Sequence, residues 1–184
     1  MNPLFTMNYS EFRSAEKLMA TFKKNDGFVV LLPADLQNKG YDLVLFNNKT
    51  SKGVKIQVKG GRSYDASSSE IKRGLGNHSI WHSNIITPKF DGTNTDWFLI
   101  HATIPSPNEM IHPKRKAVWK DLFLLIKKDK IRDFIGEYES KTHYTIWLDQ
   151  NNDGTIRKAS SKSGHDKTNF LFENQVEELK KEIS

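Results

Sequence analysis

The sequence predicts an α/β domain, a mixed β-sheet flanked by helices. Three observations carry that expectation. An amphipathic stretch follows Asn8 and Ser10. Three strand-like segments come directly after it, between Phe28 and Lys59. A second amphipathic stretch closes the chain from Phe170 to Ile183. Helical and extended periodicities thus share one chain of 184 residues, long enough for a single domain with a core of its own.

The elements follow in order. Asn8 or Ser10 can cap a helix running to about Lys24, with Phe12, Ala15, Leu18, Met19 and Phe22 at helical spacing. Asn25-Asp26-Gly27 stops it. Phe28 to Leu32 is a continuous apolar run ended by Pro33, which reads as a buried strand. Gly40 opens the next strand, Tyr41 to Phe46. The turn-rich connector from Asn47 to Gly53 is too short for a helical crossover, so the strands on either side should be antiparallel neighbours. Val54 to Lys59 alternates apolar and polar without a fault, and Gly60-Gly61 is expected to end it. Residues 62 to 95 read as loops with one short strand around Ser79 to Ile86. Further strands are expected over 97–104, 121–126 and 144–148, with a short helix over 129–135. In the closing helix Leu171, Val176, Leu179 and Ile183 form the apolar face.

Composition narrows the partners. Lysine and arginine number 28 against 22 acids, a net charge of +6, which favours polyanions such as nucleic acid. The absence of cysteine removes disulfides and thiolate metal sites. No apolar run approaches the ~18 residues that cross a bilayer, and Met1 to Tyr9 lacks the order of a signal peptide. A cytoplasmic protein with no membrane association is expected.

The residues that carry chemistry are Asp42 and Gln57-Val58-Lys59. Residues two apart in a strand share a face, so Gln57 and Lys59 point one way while Val54, Ile56 and Val58 point into the core. Antiparallel pairing puts the start of the Asp42 strand beside the end of the Lys59 strand. A carboxylate, a carboxamide and an ammonium can therefore converge. Hydrolysis of a phosphodiester needs such a set. Asp42 can hold a hard cation such as Mg²⁺, Gln57 can add a neutral carbonyl ligand, and Lys59 can orient the attacking water and stabilise developing charge.

Gly40-Tyr41-Asp42-Leu43-Val44 followed by Ile56-Gln57-Val58-Lys59 resembles the motif of the PD-(D/E)XK nucleases. This superfamily includes restriction enzymes, Holliday-junction resolvases and transposon end-cutting nucleases. The stretch that matches runs from the first helix to Gly61. The resemblance implies a restriction-endonuclease-like fold and metal-dependent cleavage of DNA with Mg²⁺, for which Mn²⁺ can substitute. It also implies a glutamate on the first helix as an extra metal ligand. Ala15-Glu16-Lys17 followed by Gly27-Phe28 looks like that segment in archaeal junction resolvases, which favours Glu16, with Glu11 as its rival. Tyr41 stands where the family has proline. Gln57 stands where it usually has an acid, which removes a negative charge from the metal site and makes the helix glutamate more necessary.

Other signals are weaker. Arg62, Lys72 and Arg73 follow the catalytic strand and are candidates for phosphate contacts, with a solvated loop as the alternative. His78 and His82, four apart, suit a DNA-facing loop better than a helical metal pair, because Gly74, Gly76 and Asn77 argue against a helix. Trp81 between them could stack on a base or belong to the core. Lys114-Arg115-Lys116 is a possible phosphate contact or a solvated loop. Asp149 to Gly154 resembles the start of a calcium loop, but Ser160 stands where the closing glutamate belongs, so a hairpin turn is expected. Adjacent Ser163, His165 and Asp166 do not make a triad, whose members come from distant positions.

The expectation is one PD-(D/E)XK-like domain over 1–184, with a catalytic core over about 8–104 and a C-terminal elaboration over about 105–184. It would be a restriction-type endonuclease with Asp42, Gln57, Lys59 and Glu16 in its site. It would bind DNA and act as a homodimer, since double-strand cutting requires two sites. The alternatives are a junction resolvase or repair nuclease, and a non-catalytic nucleic-acid-binding module.

Overall fold

Asn8 starts helix α1 (Tyr9–Thr21) as its N-cap, its side-chain oxygen accepting from the Glu11 N–H at 3.0 Å. Glu11 reaches back to the Asn8 amide, closing a reciprocal cap at the helix start. The computed structural model describes residues 8–33, 40–65, 78–85, 94–105, 119–135, 144–150, 154–158 and 166–184. Ala15, Leu18 and Phe22 of α1 are buried, as their spacing requires. Phe12 and Met19, expected on the same face, are about half exposed, at 49% and 52%. The core-facing stripe of α1 is therefore narrower than its apolar count suggests.

The remaining described elements are β1 (Phe28–Leu31), β2 (Leu43–Asn47), β3 (Lys52–Asp65), β4 (His78–Ile85), β5 (Trp97–Pro105), β6 (Trp119–Lys127), α2 (Ile131–Ile135), β7 (Tyr144–Gln150), β8 (Ile156–Lys158) and α3 (Phe172–Ile183). The core is a mixed five-stranded sheet in the order β1-β2-β3-β5-β6. β2 and β3 pair antiparallel, as the short connector requires, with Leu43 opposite Ile56. β3 and β5 pair parallel, with Val58 opposite Leu99 and Gly60 opposite His101. This α/β architecture is consistent with a restriction-endonuclease-like fold.

Alternation along β3 sorts its side chains as the sequence predicts. Val54, Ile56 and Val58 are buried under α1 and α3, together with Leu43, Leu45, Trp97 and Leu99. A second cluster, including Phe98, Ile100, Leu124 and Phe134, fills the opposite face beneath α2. β6 and α3 contribute to these clusters, so the C-terminal half helps build the same core.

Two expectations change. Phe28–Leu31 is an edge strand rather than a buried one. β2 is its only strand partner among the described residues, and Leu31 and Leu32 are about half exposed. A continuous apolar run signals burial on both faces only when both flanks are occupied. Gly60-Gly61 does not end β3. The strand runs on to Asp65 and leaves the core sheet to pair with β4 in a second sheet, β3-β4-β7-β8, where Arg62 lies opposite Trp81. The short strand expected around 79–86 is β4. β7 and β8 pair antiparallel, with Gln150 opposite Ile156, while residues 151–153 of the expected turn lie outside the described residues. Among the described residues no helix is long and apolar enough to cross a membrane.

Candidate active site

β2 begins one residue after Asp42, and that offset builds the site. The backbone N–H of Asp42 donates at 2.9 Å to the carbonyl of Ile56, the residue that Leu43 pairs with, so the ladder is irregular at the head of β2. Its side chain then turns onto the next rung. The Oδ2 atom accepts from the Val58 N–H at 2.7 Å, a donor beyond the point where β2 pairs with β3. A carboxylate thus satisfies a backbone group that strand pairing leaves over. Gln57 follows Ile56, the last residue that pairs with β2, and Lys59 lies two residues along on the face that Gln57 shares. Gly40 allows the approach. Its φ is +131°, and a side chain there would meet the backbone nitrogen of Asn94 at 2.9 Å.

The electrostatics couple three groups. Burial raises the Asp42 carboxyl above its ordinary value, and the Val58 hydrogen bond and the Lys59 charge offset this only in part. Glu11 is raised as well, by burial first and then by the Asp42 charge, against the Asn8 hydrogen bond and the Lys59 charge. The charges of Asp42 and Lys59 thus both reach Glu11. Glu16, the helix glutamate favoured by the sequence, is instead paired with Arg13, whose other guanidinium nitrogens engage Asp121. The helix carboxylate beside Asp42 is Glu11. Spacing to Gly27-Phe28 pointed to Glu16, but the position and rotation of α1 over the sheet decide which of its faces meets the strand ends.

The raised values predict a stability effect. A carboxyl whose folded value is raised holds its proton more tightly in the fold. Its stabilisation is complete below the unfolded value and is lost as pH rises through the folded one. Asp42→Asn keeps an oxygen acceptor for the Val58 N–H but carries no charge. It is expected to raise the urea midpoint at neutral pH in metal-free buffer, with an advantage that shrinks at about pH 4, near ordinary carboxylate values. A lower midpoint than wild type at neutral pH would contradict this.

Arg62, His78 and His82 lie on the paired strands β3 and β4, so the two histidines are not a helical pair. Lys72, Arg73 and the Lys114–Lys116 cluster lie outside the described residues. Among the described residues no group of three or more His, Asp or Glu side chains gathers to hold a metal, so Gln57 would have to complete any donor set built on Glu11 and Asp42. A cavity of about 600 Å³ opens at the other end of β3, lined by Gly53, Val54, Lys127 and Glu182 among others, and includes none of these residues.

The sequence reading missed His101 and Asp121. His101 is 2% exposed and lies between Asp121 (Nε2 to Oδ1, 2.8 Å) and Ser10 (Nδ1 to Oγ, 3.2 Å). Burial works to raise the Asp121 carboxyl, but hydrogen bonds from His101 and Arg13 and their charges override it and hold it below the ordinary range. One signal was available in the sequence, a histidine in the middle of the apolar run Trp97–Ile104.

No family model matches the chain, and no curated protein matches it. Among solved structures it is similar to a bacterial homing endonuclease, I-Ssp6803I, at 17% identity and a TM-score of 0.43, over 98% of this chain and 100% of that one.

Proposed function

We propose that this protein is a divalent-metal-dependent endonuclease that hydrolyses phosphodiester bonds in DNA, most simply a restriction-type enzyme. Its site would comprise Asp42, Gln57 and Lys59, with Glu11 in the place first expected for Glu16. The observation that carries the reading is the seating of the Asp42 carboxylate on the Val58 N–H, between Gln57 and Lys59 in the β3 sequence. The donor chemistry fits a hard cation. Carboxylate and carbonyl oxygens suit Mg²⁺, which is commonly held by one or two carboxylates, with water and phosphate oxygens completing its shell.

When bound, Mg²⁺ (or Mn²⁺) supplies positive charge that screens the phosphate and acidifies a coordinated water. The chain supplies the rest. Burial keeps Asp42 and Glu11 poorly solvated, so a dication would relieve a local cost that water does not. The Val58 N–H fixes one Asp42 oxygen and so orients the other. Lys59 offers a cation where charge develops on the phosphate oxygens and where an attacking water must be aligned. The net charge of +6 supports binding to a polyanion.

The test is a cleavage assay on linear, supercoiled, branched and single-stranded DNA with Mg²⁺ or Mn²⁺ against EDTA. Fragments formed only with metal support the reading, and cutting confined to branched DNA would favour a junction resolvase. One observation favours a non-catalytic binding module: among the described residues no three His, Asp or Glu side chains gather. Salt-sensitive DNA binding without cleavage on any substrate would sink the nuclease in favour of that module.

A further inference from the structure

We infer that His101 and Asp121 are positioning residues, which pin the first turn of α1 to the sheet through Ser10 and Arg13 and so set Glu11 beside Asp42 and Lys59. This rests on the nuclease reading for its catalytic consequence. Its structural content stands independently.

Gly60, His101 and Phe123 form one row across β3, β5 and β6 on the face covered by α1. Gly60 leaves a slot in that row. A Cβ there would lie 2.7 Å from Ser10 Oγ, so α1 reaches its present depth only because residue 60 has no side chain. Ser10 fills the slot and meets His101 Nδ1 at 3.2 Å. The partners assign the ring proton. Ionised Asp121 can only accept, so Nε2–H donates to it at 2.8 Å, and in the neutral ring Nδ1 accepts from the Ser10 hydroxyl. Asp121 is tied to α1 a second time, because its Oδ2 accepts from Arg13 Nε at 2.9 Å, and Thr103 Oγ1 lies 3.4 Å from its Oδ1. The Tyr9 ring stands edge-on to His101 at 5.7 Å, and Phe123 closes the other side at 5.0 Å.

Ser10 adjoins Glu11, and Gly60 adjoins Lys59. Fixing Ser10 over Gly60 therefore fixes the height at which the helix carboxylate meets the ammonium. Arg13, three residues along, makes the second attachment and opposes rotation of the turn. Ser10, His101 and Asp121 also match the residue types of a nucleophilic triad, but the ring is buried beneath the helix and has no room for a substrate.

The test pairs His101→Ala and Ser10→Ala with Glu11→Gln, all in the full chain. Each anchor variant is expected to lower metal-dependent kcat about 10- to 100-fold with KM little changed, as for other groups that orient a ligand. In the Glu11→Gln background the same change should have little further effect, because both act through one carboxylate. Hydrogen exchange should show lost protection in the first turn of α1 and retained protection in β5 and β6. His101→Asn, which keeps a polar group against Asp121, should recover part of kcat. Equal losses in both backgrounds, or first-turn protection unchanged from wild type, would overturn the assignment. If His101→Ala does not fold, Ser10→Ala decides the matter, since it removes only a hydroxyl. If the wild type does not cleave DNA, the nuclease reading fails, and exchange in α1 still confirms or overturns the anchoring.

Discussion

Replacing Asp42 with alanine is expected to remove metal-dependent cleavage, with a loss of more than about 100-fold. The magnitude follows from position. Groups one step removed from a metal cost about 10- to 100-fold when deleted, so a direct ligand should cost more. Alanine also strands the Val58 N–H, whose acceptor is the Asp42 side chain. Lys59→Ala provides the contrast. It should lower turnover by about 10²- to 10³-fold, the usual cost of removing a group aimed at developing charge, yet leave divalent binding intact because an ammonium is no ligand. Single-turnover kinetics together with a Mn²⁺ titration separate the two. Loss of metal binding in the Asp42 variant alone supports the assigned roles. Cleavage by Asp42→Ala within about tenfold of wild type, a difference of only about 1.4 kcal/mol, would rule out the site.

Trp97→Ala should have the largest effect on stability, a loss of about 3–5 kcal/mol. Trp97 is fully buried at the start of β5, where the sheet meets α3. Its indole N–H donates to Glu182 Oε2 at 2.8 Å, and the Lys127 ammonium lies 5.9 Å from the ring centroid while pairing with the same glutamate. Truncation therefore opens a large cavity and cuts a tie between strand and closing helix. Domains of this kind have about 5–15 kcal/mol in total, so the variant should lie near the edge of folding. Urea titration is the measurement, with Trp97→Phe, which refills most of the volume, expected to lose less than half as much. A loss below about 1 kcal/mol would show that the site collapses around the missing ring.

Much of this was legible because it is local. The strict alternation of Val54 to Lys59 assigned Gln57 and Lys59 to one face and the valines and isoleucine to the core, since successive strand side chains must point to opposite sides. The short link between Asn47 and Gly53 required antiparallel neighbours, and β2 and β3 pair so, which puts the start of the Asp42 strand beside β3 near Ile56. The Asn8 cap, the closing helix and the later strands followed from short-range signals of the same kind, while α1 ends at Thr21, short of the stop expected at Asn25-Asp26-Gly27.

What only the tertiary structure decided depends on partners far apart in the chain. Ser10 meets His101 across 91 residues and Arg13 meets Asp121 across 108. Those contacts set the depth and rotation of α1, and so bring Glu11, not Glu16, to Asp42. Helix periodicity puts Glu11 nearer the apolar face and Glu16 at its boundary, while spacing to Gly27-Phe28 favours Glu16, and the packing of α1 decides between the two signals. Gly60-Gly61 read as a strand terminus because glycine lacks side-chain packing, yet the absent Cβ at Gly60 is what admits Ser10. Phe28–Leu31 read as buried because apolar runs usually are, but β1 lies at the edge of the sheet, and sheet order is settled by which strands find each other in space. The sequence by itself determined the strands that hold the proposed reactive groups. Packing at long range determined which helix carboxylate joins them, because depth and rotation are properties of an interface rather than of any one segment.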